Sequence, residues 1–261
     1  MALITETSLR ASLAKGLLNP YPVQEGDKLT PAAMDFLKAR GISLQRIASK
    51  PSIYPKTMNG IQTNVPAGVS NRHIHLSPDH VEALFGTGYR LNILRELSQA
   101  GQFAAQETIT LVGPKGIIPN VRILGPSRGA TQVEISRTDG YLLGVHPPVR
   151  LSGHLEGTPG IIVVGIKGTI VLQEGLIVAK SHVHLSPQDA SELQIEGGDR
   201  LILKTGGDRP IFFADVIVRV SERFSLDFHI DLDEANAAGL KTGDYVQLIG
   251  KNGGITGSVR R

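Results

Sequence analysis

A ten-residue segment of this chain recurs, and the recurrence constrains the fold more than any other feature. Val69-Ser-Asn-Arg-His-Ile-His-Leu-Ser-Pro78 returns as Val178-Ala-Lys-Ser-His-Val-His-Leu-Ser-Pro187. Each copy ends in Ser-Pro, an N-cap followed by a residue suited to the first turn of a short helix. Each then reaches a glycine turn and a strand, Gly88-Tyr-Arg-Leu91 in the first and Gly198-Asp-Arg-Leu201 in the second. A fainter third copy starts at His229-Ile-Asp-Leu232 and arrives at Gly243-Asp-Tyr-Val246. Repetition of this kind points to duplicated modules.

The modules are β. From Val69 onward the chain consists of short Val/Ile-rich runs punctuated by glycine: Val121–Leu124, Thr131–Ser136, Ile161–Gly165, Thr169–Leu172, Leu201–Lys204, Ile211–Val218 and Tyr245–Ile249. Thirty glycines and fifteen prolines in 261 residues, against seven Phe, five Tyr and no Trp, fit many tight turns between short elements. The expected fold is mainly β: two small β-barrel domains with short capping helices, preceded by an α-helical N-terminal extension. The expected divisions are an extension and linker over 1–60, a first barrel over 61–177 and a second over 178–261.

Within the extension, Leu9, Leu13 and Leu17 recur every four residues, predicting an amphipathic helix over residues 1–20 that ends at Asn19-Pro20. A second helix is predicted after Thr30-Pro31 and before Gly41, with Ala33, Met34 and Leu37 on its apolar face. Residues 48–68, rich in Pro, Asn and Gly, have the composition of a linker. The leucines of so small a helical pair dock on the body of the protein or on a partner.

The paired histidines carry the chemistry. Alternate residues of a strand face the same side, so His73/His75 and His182/His184 each aim two imidazoles at one spot. One such pair can simply bond to backbone or water. Five of the eight histidines, however, stand at the starts of the repeats, which points to metal binding. His229 aligns with His73 and His182. Asp231 replaces the second histidine and is open to three roles: ligand, orienting group or turn residue. His80, His146 and His154 fall outside the pattern and are expected on the surface or in loops. With no cysteine in the chain, a disulfide framework, a thiolate ligand and an acyl-cysteine are all excluded, and any metal site uses nitrogen and oxygen.

Between the pairs lies Gly125-Pro-Ser-Arg-Gly-Ala-Thr-Gln-Val-Glu-Ile-Ser136. Its glycine-flanked loop presents Arg128, able to grip phosphate with a bidentate fork. In the following strand Gln132, Glu134 and Ser136 share a polar face, and Glu134 can complete a metal shell or act as a base. Gly125–Gly129 also spells the G-x-S-x-G of a nucleophile elbow around Ser127, with Asp215 and His229 downstream. That elbow requires a helix directly after the serine; a strand is predicted there, which argues against a serine hydrolase.

Net charge is +3, without a basic stripe or interleaved aromatics, so small anions suit the chain better than nucleic acid. The N-terminus lacks the pattern of a secretory signal. The most apolar stretch, residues 160–179, is interrupted by Lys167, Gln173 and Glu174 and is expected as two buried strands around a turn, not a membrane span.

Taken together, S-N-R-H-x-H-L-S, L-G-P-x-R-x-x-T-Q-V-E, P-V-R-x-S-G-x-L-E-G-T-P-G and H-x-H-L-S-P, followed by a late D-x-H-x-x-x-D-E-A-N analogue, resemble the phosphate propanoyltransferases, phosphotransacylases associated with bacterial microcompartments. The similarity runs from about Val65 to Leu248. It implies two Zn2+ per chain, one held by His73, His75 and Glu134, the other by His182, His184 and His229. It further implies Arg128 as the phosphate-binding arginine, with Ser70, Arg122, Leu124 and Asn236 contacting coenzyme A and Arg95 standing where relatives carry lysine. The substrates implied are a short-chain acyl-CoA (propanoyl or acetyl) and phosphate, and the assembly a homodimer in the cytoplasm inside a microcompartment. Residues 1–18 then correspond to a helix that engages shell proteins. A binuclear zinc hydrolase and a non-catalytic zinc-stabilised binding module are the competing functions.

Overall fold

The computed structural model of the chain describes residues 3–13, 16–24, 27–47 and 64–255. No helix among them is long and apolar enough to cross a membrane. The chain divides into two compact units, residues 1–55 and 56–261.

The first unit contains β1 (Leu3–Ile4), α1 (Glu6–Ser12), β2 (Tyr21–Gln24), β3 (Lys28–Leu29), α2 (Pro31–Lys38) and β4 (Leu44–Ile47). A capping box between Thr5 and Ser8 starts α1, so the helix is shorter than the leucine spacing predicts and a strand precedes it. The extension is therefore only partly helical: β1 pairs with β3 and β2 with β4, both in parallel. Thr30 caps α2, its hydroxyl accepting the Ala33 N–H at 3.2 Å. Leu9 packs with Ala33, Phe36 and Leu37 in a small core. Phe36, three residues beyond Ala33, takes the place expected for Met34, which is turned away and 53% exposed. Residues 48–63 of the expected linker lie outside the described residues, and residues 64–68 form a strand instead.

The second unit begins with β5 (Asn64–Ser70), β6 (His73–His75), α3 (Pro78–Phe85), β7 (Ile93–Glu96), β8 (Phe103–Val112), β9 (Ile117–Gly125) and β10 (Gln132–Glu134). It continues through α4 (Arg137–Leu143), β11 (Val149–Arg150), β12 (Ile162–Val164), β13 (Thr169–Val171) and β14 (Leu176–Ala179). The remainder is β15 (His182–Leu185), α5 (Pro187–Leu193), β16 (Arg200–Lys204), β17 (Phe212–Val220), β18 (Asp227–Asp231), α6 (Leu232–Ala238), β19 (Tyr245–Lys251) and β20 (Gly254–Ile255). The expected caps are present: Ser77 starts α3 and Ser186 starts α5, each followed by proline.

Two sheets result. One is an open half-barrel in the order β11-β14-β10-β6-β9-β8-β12-β13, with β7 beside β8. The other is a closed six-stranded barrel, β16-β17-β15-β18-β5-β19, sealed by the pairing of β16 with β19. Each surrounds its own apolar core, one centred on Ile74, Leu111, Ile123 and Val133, the other on Val183, Leu203, Val216 and Phe228. The segment 160–179 differs from the expected pair of buried strands. It forms three strands, of which β12 and β13 make a hairpin with Ile162 and Val171 exposed, while β14 is buried between β10 and β11.

The duplication is visible in the ladders. The histidine strand β6 pairs in parallel with β9 and antiparallel with β10; β15 pairs in parallel with β17 and antiparallel with β18. The strand preceding each histidine pair belongs to the opposite sheet. β5, just before His73, is a stave of the closed barrel beside β18, and β14, just before His182, lies in the half-barrel beside β10. The chain therefore crosses from one sheet to the other immediately before each His-x-His, which sets both pairs at the junction.

Core packing of the half-barrel is testable away from that junction. Leu111→Ala, at a fully buried position, is expected to lower unfolding free energy by about 2–5 kcal/mol. Ile117→Ala, on the partner strand but 59% exposed, is expected to change it by less than about 0.5 kcal/mol. Urea unfolding followed by circular dichroism distinguishes the two; equal midpoints would contradict the burial described.

Candidate active site

Strand register assembles two groups of side chains by the same rule. In the half-barrel, His73 lies opposite Glu134 and His75 opposite Gln132. In the closed barrel, His182 lies opposite His229 and His184 opposite Asp227. Thus each His-x-His strand receives a third potential ligand directly across from its first histidine. The potential ligand atoms of His73, His75 and Glu134 lie within 4.8 Å of one another, as do those of His182, His184 and His229.

Backbone carbonyls hold most of these rings. The Nδ1–H of His73 donates to the Asn71 carbonyl at 2.8 Å, and that of His182 donates to the Lys180 carbonyl at 2.7 Å. The two carbonyls sit on equivalent crossings between the sheets. His75 Nδ1 is 3.2 Å from the Leu124 carbonyl. A carbonyl oxygen can only accept, so in all three rings Nδ1 carries the proton, and in the neutral rings of His75 and His182 Nε2 presents a lone pair. Gln132 steadies the carboxylate: its amide nitrogen donates to Glu134 at 2.5 Å and to Ser152 at 2.8 Å, while its oxygen accepts the Gly153 N–H at 2.7 Å.

Burial keeps the imidazoles of His75, His182 and His184 neutral. Desolvation, then the neighbouring His73, push His75 down to about 3. Desolvation and His229 push His182 to about 4, and desolvation with the other two histidines of its group pushes His184 to about 2. His73 is the exception: burial would lower it, but Glu134 beside it prevails and raises it. Burial would likewise raise Glu134, yet attraction to and hydrogen bonding with His73 hold it well below the usual carboxylate range.

Both groups open on one cleft of about 760 Å³. Of the residues singled out from sequence, Ser70, Arg95, Arg122, Leu124, Arg128 and Glu134 line it, as do all five histidines. Ser70 Oγ is 3.2 Å from His73 Nδ1. Arg122 is partly engaged already, donating to the Ala105 and Gln106 carbonyls at 2.8 and 3.0 Å. Arg128 reaches Ser152 Oγ at 3.2 Å. Asn236 is exposed on α6 and is not among the residues lining the cleft. Asp231 resolves as the N-cap of α6, accepting the Glu234 N–H at 2.8 Å. Ser127 borders a separate small cavity and is followed by strand β10, so no nucleophile elbow forms. His146 and His154 are exposed, and His80 is half-buried with Nδ1 2.6 Å from Thr131 Oγ1.

Three cleft residues escaped sequence reasoning. Gln132 was placed on the polar face without a role, although its position opposite His75 makes it the anchor of Glu134. Asp227 is buried, accepts a hydrogen bond from Ser98 at 2.8 Å and lies 3.0 Å from His229 Nε2. A Cβ on Gly68 would come 3.0 Å from the Asp227 carboxylate, so a side chain there would crowd its seat. Arg219, on β17 beside His184, also lines the cleft. For Asp227, its place two residues before His229 was the available signal.

The donor set suits divalent metal ions. Among the described residues, both ring nitrogens of His184 are buried without a hydrogen-bond partner, a state that a buried polar group rarely holds unless a ligand completes it. Each group offers three nitrogen or oxygen donors, the ligand count of a metal site with open coordination positions.

Fold and cleft together define a β-barrel protein with two histidine-rich candidate metal groups facing one substrate-sized space. A family profile described as Phosphate propanoyltransferase matches residues 66–241, which takes in every member of both groups. The phosphate propanoyltransferase of Thermotoga maritima is 54% identical over 189 residues, covering 72% of this chain and 90% of the relative. That of Listeria monocytogenes is 51% identical over 191 residues, covering 73% and 90%. That of Rhodopseudomonas palustris is 46% identical over 187 residues, covering 72% and 83%. The chain belongs to the phosphate propanoyltransferase family.

A carboxylate hydrogen-bonded to a ligating imidazole fixes ring orientation, and its loss weakens metal binding by roughly 10–100-fold. Asp227→Ala is therefore expected to lower divalent-ion affinity at the closed-barrel group by about that factor, read by competition with a chromophoric chelator. An unchanged affinity would show that Asp227 does not position His229.

Proposed function

We propose that the protein converts a short-chain acyl-CoA and inorganic phosphate into an acyl phosphate and free CoA, with two zinc ions in the cleft. The observation that carries this reading is the meeting of two three-donor groups and Arg128 in one cleft, in a chain that over 189 and 191 residues is 54% and 51% identical to two phosphate propanoyltransferases.

In the proposed reaction a phosphate oxygen attacks the thioester carbonyl, the resulting oxyanion collapses, and the carbon–sulfur bond breaks. The proton of hydrogen phosphate ends on the CoA thiol. His73, His75 and Glu134 would hold one ion and His182, His184 and His229 the other. Bound zinc supplies Lewis-acid stabilisation of the departing sulfur and of the phosphate. Arg128 offsets phosphate charge and fixes its approach, turning a repulsive encounter into a positioned one. Gln132 holds Glu134 toward the His73 pair, and the carbonyls behind the imidazoles keep their lone pairs facing the cleft. Ser70, Arg95, Arg122 and Leu124 offer polar, cationic and apolar contacts to the CoA moiety. The absence of cysteine leaves direct transfer as the simplest course, and ping-pong kinetics would count against it.

Thiol release from propanoyl-CoA tests the reading directly. Release is expected only with phosphate, to disappear after chelation and to return with zinc. Release without phosphate would identify a hydrolase, and no release under any condition would point to a binding module.

We further propose that the N-terminal unit directs the enzyme, as a homodimer, into a cytoplasmic microcompartment. The family match begins at residue 66 and leaves this unit out, and Leu13, Leu18 and Met34 are exposed on it. Deleting residues 1–20 is expected to preserve specific activity and abolish co-localisation with shell proteins. Lost activity with retained co-localisation would refute this assignment.

A further inference from the structure

Arg219 is a half-buried cation with no evident task in holding the fold. Its strand, β17, lies against β15 with Arg219 in register with His184. Among the described residues it has no carboxylate within ion-pair distance and no hydrogen-bond acceptor. Its only specific packing is on Phe224, whose ring centroid is 5.7 Å from the guanidinium carbon. Phe224 in turn stacks on His184, with centroids 3.9 Å apart and an interplanar angle of 15°. The aromatic stack orients the guanidinium without using any of its N–H donors.

Arg128 enters the same cleft from the half-barrel, and the two guanidiniums repel each other. Glu134 attracts both, but it is engaged by His73 and Gln132. Burial disfavours the charge on each arginine. Two desolvated like charges facing one space are costly unless an anion joins them. A dianion with oxygens on several sides is the partner that suits two forks approaching from opposite sheets.

We propose that Arg219 is the second arm of a phosphate clamp, gripping the attacking phosphate from the closed barrel while Arg128 grips it from the half-barrel. This rests on the transacylase reading above and names the residue that completes its phosphate site. Because the arms come from different sheets, phosphate binding also ties the two sides of the cleft together.

The test is steady-state kinetics of the zinc-loaded enzyme, varying phosphate and propanoyl-CoA separately. Arg219→Met is expected to raise KM for phosphate by roughly 10–100-fold, the loss of a charge-assisted contact, and to leave KM for propanoyl-CoA within about twofold. Arg219→Lys is expected to recover part of the loss, since it restores a point charge without the fork. Phosphate should also raise the melting temperature of the wild type and fail to do so for Arg219→Met. Metal content of each variant is measured alongside; if Arg219→Met loses its metal, Arg219→Lys carries the test, with a rise of at least about threefold in phosphate KM expected. An unchanged phosphate KM, or an equal rise in both KM values, overturns the clamp. Failure of the underlying reading looks different: the wild type itself would then release CoA without phosphate, or not at all.

Discussion

The cleft depends on hydrogen bonds from imidazole to main-chain carbonyl. A buried, charged imidazole would repel both its neighbours and a metal ion; a buried neutral one still has an N–H to satisfy. The Asn71, Leu124 and Lys180 carbonyls meet that need for His73, His75 and His182 and in doing so select the tautomer. In His75 and His182 the lone pair is then left on Nε2. His184 is the exception, stacked on Phe224 with neither ring nitrogen hydrogen-bonded among the described residues.

The two groups follow one structural rule yet differ in charge. Glu134 gives the half-barrel group a carboxylate among its donors, while the closed-barrel group consists of three imidazoles, one of them hydrogen-bonded to Asp227. A divalent ion held in the second setting would keep more of its positive charge than one held in the first. Anions would then be drawn more strongly to the closed-barrel side, the side from which Arg219 approaches. A duplicated frame has acquired unequal halves by changing the residue opposite the first histidine.

The sequence made the repeats, the β character and the histidine groups legible because each depends on local spacing. His-x-His needs only the two-residue period of a strand, and Ser-Pro needs only a helix start. Residues whose role comes from pairing across the sheet were hidden: Gln132 opposite His75, Asp227 opposite His184, and Arg219 beside it in a strand of apolar neighbours. Register between segments far apart in the chain leaves no trace in either segment alone. Residues 64–68 look like a linker because proline and glycine interrupt them, and yet β5 is a stave of the closed barrel, since closure of the barrel overrides local composition.

The exchange of β5 and β14 bears on how such a protein can arise. Either repeat alone lacks a strand that the other provides, so two independent copies could complete their sheets only by trading strands with each other. Fusion into one chain turns that encounter between molecules into a first-order event, with an effective concentration on the order of millimolar. The obligate embrace of two half-proteins thereby becomes an internal property of one polypeptide, and each half is then free to diverge while the other preserves the architecture.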